Sequence, residues 1–295
     1  MNHKQDDFDV PFAWKQLDLE AIHGVLLVIG ATDTGKTTFS RYLFEALKSL
    51  GRQVALIDGD PGQSWLGPPT TMTLTPNLGS GSDFQETSPT RRYFIGSTTP
   101  QGHMLPVIVG SASLVRSAVD TGVETIVYDT TGLVDPKIGG LALKMAKIDL
   151  LRPRRVFAIQ RNEELEPLLT PLRRSRRVKL IELQSVPGAK RRDAIERRNH
   201  RIRQYRRYFE GARPLTVSWQ NLAVFPLPIF RIHRLVAFED TPGFLVGLGI
   251  VIDIDRPLRR VTLLTPLENL EGVDALHLGD ILLDPNSFED EKIRN

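Results

Sequence analysis

Short apolar runs punctuate the first two thirds of the chain. Gly24–Gly30 is continuously apolar and closes on glycine, the pattern of a strand buried on both faces of a parallel sheet. Val54–Asp58 and Thr125–Asp129 repeat that pattern and end on aspartate, and Arg155–Ile159 and Val178–Leu183 add two more strands. Between the first two runs, Phe39, Tyr42, Leu43, Ala46, Leu47 and Leu50 recur at helical spacing, and Gly51 supplies the stop. Ser111–Thr121 and Ile138–Leu150 predict further helices, and a polar helix separates the last two strands. Strands alternating with helices predict an α/β fold on a mainly parallel sheet flanked by helices. Val10-Pro11-Phe12-Ala13-Trp14 is expected to pack on that core. Residues 61–106, rich in Gly, Pro, Ser and Thr, read as loop with one short strand near Tyr93–Ile95. Loops of that length are usually functional.

Ala189–Phe209 is a basic helical stretch. Beyond Gly211 the texture changes, and Leu215–Leu283 shows the alternation of a small β-rich module, as in Arg260–Leu264. The expected organisation is a lead-in over 1–20, a main domain over 21–213 with a basic segment at about 187–210, a small β-rich C-terminal module over 214–285, and a frayed tail over 286–295.

The turn after the first strand carries the strongest chemical signal. Gly30-Ala31-Thr32-Asp33-Thr34-Gly35-Lys36-Thr37, with Thr38 following, fits G-x-x-x-x-G-K-[ST] between a strand and a helix. Glycines let the backbone wrap a phosphate, and the loop amides and helix N-terminus attract it. The fold expected is therefore of the P-loop NTPase type. Lys36 is expected to bridge the β- and γ-phosphates of ATP, and Thr37 to bind Mg²⁺.

The second strand runs into Asp58-Gly59-Asp60-Pro61-Gly62-Gln63. Carboxylates at the C-terminal edge of a parallel strand face the ligand crevice. One of the pair suits the metal shell and the other a base for a substrate hydroxyl, with Gln63 orienting a metal-bound water or the acceptor. Asp129 competes for the metal, because it also ends an apolar strand, and sequence alone does not rank Asp60 against Asp129. Thr130, Thr131 and Gly132 offer hydroxyls and close backbone approach to an acceptor phosphate.

Charge refines the picture. The formal net charge of +3 hides nineteen Lys/Arg against seven Asp/Glu between Arg152 and Arg213, a local excess of twelve that leaves the rest at minus nine. A basic block in an otherwise acidic chain suggests a polyanionic partner. Within it Arg192, Arg197 and Arg201 follow R-x₄-R-x₃-R, which puts 197 and 201 on one helix face, while Tyr205, Tyr208 and Phe209 anchor the same segment. Such arginines can close over a triphosphate or hold a nucleic-acid backbone. Cysteine is absent, which excludes disulfides, thiolate catalysis and cysteine zinc sites. The polar N-terminus does not read as a signal peptide, and no apolar run spans a membrane, so a cytoplasmic protein with no membrane partner is expected.

Together these segments resemble the polynucleotide 5′-hydroxyl kinases, which include the kinase subunit of the eukaryotic pre-mRNA cleavage machinery, its ribosomal-RNA-processing relatives and archaeal homologues. The resemblance covers roughly residues 20–285 and rests on the phosphate loop, the Asp58–Gln63 motif, Asp129–Gly132, and Arg192, Arg197 and Arg201 leading into Tyr208–Phe209. It implies that Lys36 and Thr37 hold ATP and Mg²⁺ and that Asp60 activates the acceptor hydroxyl. Thr130–Gly132 would then clasp the terminal nucleotide, and the arginines would form a lid over the transferring phosphoryl. It favours RNA over DNA, with a 5′-hydroxyl, single-stranded end as partner. Asp58, Gln63 and His103 are further candidates for acceptor contact. Two departures stand out. The large N-terminal domain of eukaryotic members is missing, and Leu133 follows the clasp where some members carry an aromatic residue.

Competing readings are a nucleotide-dependent switch such as a GTPase, a non-catalytic ATP-binding nucleic-acid scaffold, and a small-molecule kinase. Against the switch, Arg161-Asn162-Glu163-Glu164 is a poor substitute for a guanine-reading Asn-Lys-x-Asp element. Against the scaffold, Lys36, Thr37, Asp58, Asp60 and Gln63 are all present.

Overall fold

A computed structural model describes residues 10–76, 90–185 and 192–293. The chain opens with a short helix, α1 (Phe12–Lys15), followed by β1 (Gly24–Gly30), α2 (Lys36–Ser49) and β2 (Val54–Gly59). Next come β3 (Thr71–Pro76), β4 (Arg91–Phe94), α3 (Met104–Asp120), β5 (Thr125–Thr130) and α4 (Gly140–Leu151). β6 (Arg155–Gln160), α5 (Glu166–Ser175), β7 (Lys179–Gln184) and α6 (Ala194–Tyr208) complete the first part. The remainder is β8 (Arg213–Ser218), β9 (Ala223–Phe225), β10 (Arg234–Glu239), β11 (Leu245–Asp255), β12 (Arg260–Thr265), β13 (Ala275–Leu283) and β14 (Asp290–Lys292).

The first sheet runs β4-β3-β2-β5-β1-β6-β7. Its five central and right-hand strands are parallel, while β3 and β4 join antiparallel. The continuous apolar runs bury both faces, as their composition requires. Leu27, Ile57, Tyr128 and Ala158 pack with Val107 and Leu114 of α3, Leu143 and Ile148 of α4 and Leu168 and Leu172 of α5. Leu26, Val28, Leu56, Val127 and Phe157 pack on the other face with Phe39, Leu43 and Leu47 of α2. Trp14 joins that second core, 5.0 Å from Phe39 ring to ring.

Three elements depart from expectation. β3 lies inside the segment read as loop, and it is buried throughout. Its alternation, Thr71-Met72-Thr73-Leu74-Thr75, is strand-like, but the Gly-Pro-Pro context before it masked the period. α3 begins at Met104, earlier than expected, because Pro106 falls in the first turn, where a missing N–H costs nothing. The tail expected to fray instead contributes β14, paired with β13 and followed by the buried Ile293.

The second sheet is antiparallel along β14-β13-β10-β11-β12-β8, with β9 pairing parallel to β13. One of its faces packs on Phe94 of β4 and on Tyr205 and Phe209 of α6, so the two sheets share a core. α6 starts at Ala194 under a reciprocal capping box between Asp193 and Glu196. The earlier part of the basic stretch, residues 186–191, lies outside the described residues. Among the described residues no helix is long and apolar enough to cross a membrane.

Candidate active site

β2, β5 and β1 lie side by side, with Asp58, Asp129 and Val28 in register. This order sets the Asp58–Gln63 turn, Asp129 and the phosphate loop along one carboxyl edge. Strand parallelism achieves this, because every parallel strand delivers its last residue to the same side.

The phosphate loop turns through left-handed backbone at Asp33 and Gly35 and enters α2 at Lys36. Lys36 is buried, and its Nζ donates to the Ala31 carbonyl at 2.6 Å. Burial lowers its pKa, and Asp129, Asp60 and Asp33 oppose that shift. Thr34 donates to the same carbonyl at 2.9 Å. Gly132 lies so close to Thr32 that any side chain would collide with it, so the 130–132 segment rests directly on the phosphate loop.

The two aspartates that sequence left unranked are distinguished by their contacts. Thr37 Oγ1 donates to Asp129 Oδ2 at 2.6 Å, while Asp129 Oδ1 is buried without a hydrogen-bond partner. Burial pushes the Asp129 carboxyl up to about 6, against the pull of Lys36 and the Thr37 bond. Asp60 instead uses Oδ1 to accept from the Gly62 and Gln63 amides at 2.9 and 3.1 Å. Of the two, Asp129 is the one that touches Thr37.

Several residues expected to contact the acceptor have partners within the protein. Asp58 is fully buried and accepts from Ser64 Oγ and the Trp65 and Leu66 amides, so it organises its own loop. Burial and then the Asp129 charge push its carboxyl up to about 7. Thr130 donates its hydroxyl to Val28 O at 2.7 Å, and the Thr131 hydroxyl accepts from the Leu133 amide at 3.0 Å. The Thr130 hydroxyl proton is thus committed to Val28 O, whereas Thr131 uses only its oxygen in its bond. His103, at the start of α3, meets Asp280 of β13 at 3.0 Å and ties that helix to the second sheet. Gln63 keeps a buried, unpartnered Oε1.

The three arginines expected to form a lid divide between two partners. The Arg192 amide and Arg197 Nη2 both donate to Asp33 Oδ2, at 3.1 and 2.8 Å, which latches the start of α6 onto the phosphate loop. His200 and Gln204 reach the Ser64 carbonyl behind the acidic motif. Arg201 turns to Asp290 of β14. Part of the basic block is consumed locally: Arg173 pairs with Glu166 and Glu182, and Arg177 with Asp149. Arg203, Arg206 and Arg207 remain exposed.

Sequence reasoning missed Lys144 and Lys147. Both are buried on α4; Lys144 Nζ donates to Thr131 O at 2.7 Å and Thr130 Oγ1 at 3.3 Å, and Lys147 Nζ to Tyr128 OH at 3.0 Å. The signal was present, since 144 and 147 share the helical stripe of Gly140, Leu143 and Ile148, where apolar residues belong. Burial lowers the Lys144 pKa well below its usual value, helped by the nearby charges of Lys36 and Lys147. Leaving its two acceptors without a donor costs about 1–3 kcal/mol. Lys144→Met should therefore lower kcat/KM for the acceptor by roughly tenfold or more, with KM for ATP little changed, in steady-state kinetics. Unchanged acceptor kinetics would remove Lys144 from the site.

Comparison with known proteins places this geometry. A family model described as mRNA cleavage and polyadenylation factor CLP1 P-loop matches residues 30–211. A polyribonucleotide 5′-hydroxyl-kinase of Pyrococcus furiosus is 32% identical, with 93% of each chain covered. One from Thermococcus kodakarensis is 32% identical over 87% of each chain, and one from Methanocaldococcus jannaschii 24% identical over 90% of this chain and 88% of its own. The solved wild-type Clp1p–Pcf11p complex shares the fold, with a TM-score of 0.68 at 17% identity, over 91% of this chain and 76% of that one.

Proposed function

The chain belongs to the CLP1 P-loop family, and from that premise we propose that it is an ATP-dependent kinase for the 5′-hydroxyl end of RNA. The carrying observation is the strand order that sets Asp60, Asp129 and the phosphate loop along one edge, with the 130–132 segment seated on Thr32.

In this reading the loop amides and the α2 N-terminus hold the phosphates, and Lys36 leaves the Ala31 carbonyl to clamp the β- and γ-oxygens. Asp60 is held through Oδ1, so Oδ2 is left to orient the 5′-hydroxyl and take its proton. The hydroxyl oxygen bonds to the terminal phosphorus as the bond to the bridging oxygen breaks, and ADP departs. Arg197, already beside the phosphate loop through Asp33, balances charge on the transferring group.

The residues fit a magnesium ion. Asp129 Oδ1 is buried and unpartnered, Thr37 adjoins Oδ2, and both are hard oxygen donors. Among the described residues no cluster of three His, Asp or Glu could hold a metal alone. Thr37 and Asp129 would hold the ion jointly with the phosphates, where it would neutralise phosphoryl charge.

The test is transfer from γ-labelled ATP to 5′-hydroxyl RNA, 5′-hydroxyl DNA and mononucleoside 3′-phosphates. Label should appear on RNA ahead of the others. Transfer to none of them, or nucleotide hydrolysis indifferent to any acceptor, would overturn the reading.

A further inference from the structure

The lid helix α6 is fastened to three parts of the molecule. Arg192 and Arg197 tie its start to Asp33 of the phosphate loop, and His200 and Gln204 tie its middle to Ser64 behind the acidic motif. Its third attachment is to the segment entering β14. We propose that Asp290 is a positioning residue for Arg201, which makes the last strand of the C-terminal sheet part of the phosphoryl-transfer apparatus. This inference rests on the kinase reading above.

Arg201 stands one helical turn after Arg197, on the same side of α6. Both Asp290 oxygens accept from its Nε, at 2.9 and 3.1 Å. A contact through Nε fixes the plane of the guanidinium while leaving its terminal amino groups for another anion. The Asp290 side chain is only 5% exposed and that of Arg201 19%. A charge pair so removed from water is held in one geometry and little screened. A long, flexible arginine is thereby converted into a preoriented donor.

The strand that carries Asp290 is itself braced. β14 pairs with β13, and the Ile293 amide donates to Asp280 O at 2.9 Å. Phe288 stacks on Phe209 at the end of α6, 6.0 Å between rings and 16° between planes. Tyr208 OH accepts from the Leu248 amide at 2.9 Å, a second bond from α6 into the same sheet. Asp290 thus presents its carboxylate from a fixed support.

The neighbouring pair supplies the control. Arg198 and Glu289 meet at 2.8 Å between the same helix and the same segment, but both side chains are 50% exposed. Exposed pairs of this kind contribute little. Charge at this junction is shared by both pairs, but burial distinguishes Asp290.

Steady-state kinetics of RNA phosphorylation test the proposal. Asp290→Asn keeps the shape and removes the charge, and it should lower kcat by about 10- to 100-fold, as loss of an outer-shell partner does, with KM for ATP and for RNA little changed. Glu289→Gln should match wild type. Arg201→Ala and the double variant Arg201→Ala/Asp290→Asn should show the same kcat, because Asp290 acts only through Arg201. Wild-type kcat in Asp290→Asn overturns the inference. So does a loss of equal size with and without Arg201, or a lowered melting temperature with kcat intact. If Asp290→Asn does not fold, Asp290→Glu carries the test: a folded protein with reduced kcat supports it, and an unaltered kcat overturns it. A wild-type protein without transfer defeats the kinase reading itself, whereas transfer insensitive to Asp290 defeats only this inference.

Discussion

Asp60→Asn should reduce phosphoryl transfer by about 10²–10⁴-fold, the range a positioned general base contributes. It should leave the protein folded and able to bind ATP. The substitution is unusually clean here. Asp60 Oδ1 accepts from the Gly62 and Gln63 amides, and an asparagine carbonyl accepts from both in the same way. The turn should survive, while the oxygen left for the acceptor becomes an amide nitrogen that cannot take a proton. Thermal melting and calorimetric ATP binding should match wild type while labelled transfer disappears. Full activity in this variant would sink the base assignment. A collapsed melting temperature would show instead that the charge of Asp60 is structural.

Lys36→Met should lower transfer by about 10²–10³-fold, the scale of losing a preorganised donor to developing phosphoryl charge. Its effect on stability should be small or favourable. Lys36 is buried, and burial works against its charge. Methionine fills similar space with no charge to desolvate. The loss should fall on kcat, and ATP binding should weaken as well, because the same ammonium meets the triphosphate before and during transfer. Single-turnover kinetics at saturating ATP separates the two effects. Retained single-turnover rate would mean that Lys36 only binds.

The two variants probe elements of different legibility. Lys36 and its loop were readable because the motif is local: glycines, lysine and threonine sit at fixed offsets between an apolar run and a helical period. Asp60 was legible as a candidate for a similar reason, since it directly follows the buried strand β2 in a short acidic motif. Its division of labour with Asp129 was not. That depends on which carboxylate reaches Thr37, and strand order decides it by placing β5 between β2 and β1. Thr130 and Thr131 show the same limit: one hydroxyl donates to Val28 O and the other accepts from the Leu133 amide, contacts that no spacing along the chain announces.

The basic block shows the same division. Its charge pointed to a polyanion, and the lid arginines lie within it. Pairing with distant acids was invisible, because Asp33, Glu289 and Asp290 are far from α6 in the chain.

By itself the sequence determined what local pattern can determine: the buried parallel strands, the flanking helices, the phosphate loop, the acidic turn and a change of architecture near residue 213. Each follows from periodicity or from short motifs whose geometry is set within a few residues. The tertiary structure alone decided the partners: Asp129 for Thr37, Lys144 for the Thr131 carbonyl, Asp33 for Arg197 and Asp290 for Arg201. Hydrogen bonds and ion pairs act over only a few ångströms, so their members are chosen by the packing of whole elements. No spacing along the chain encodes that packing.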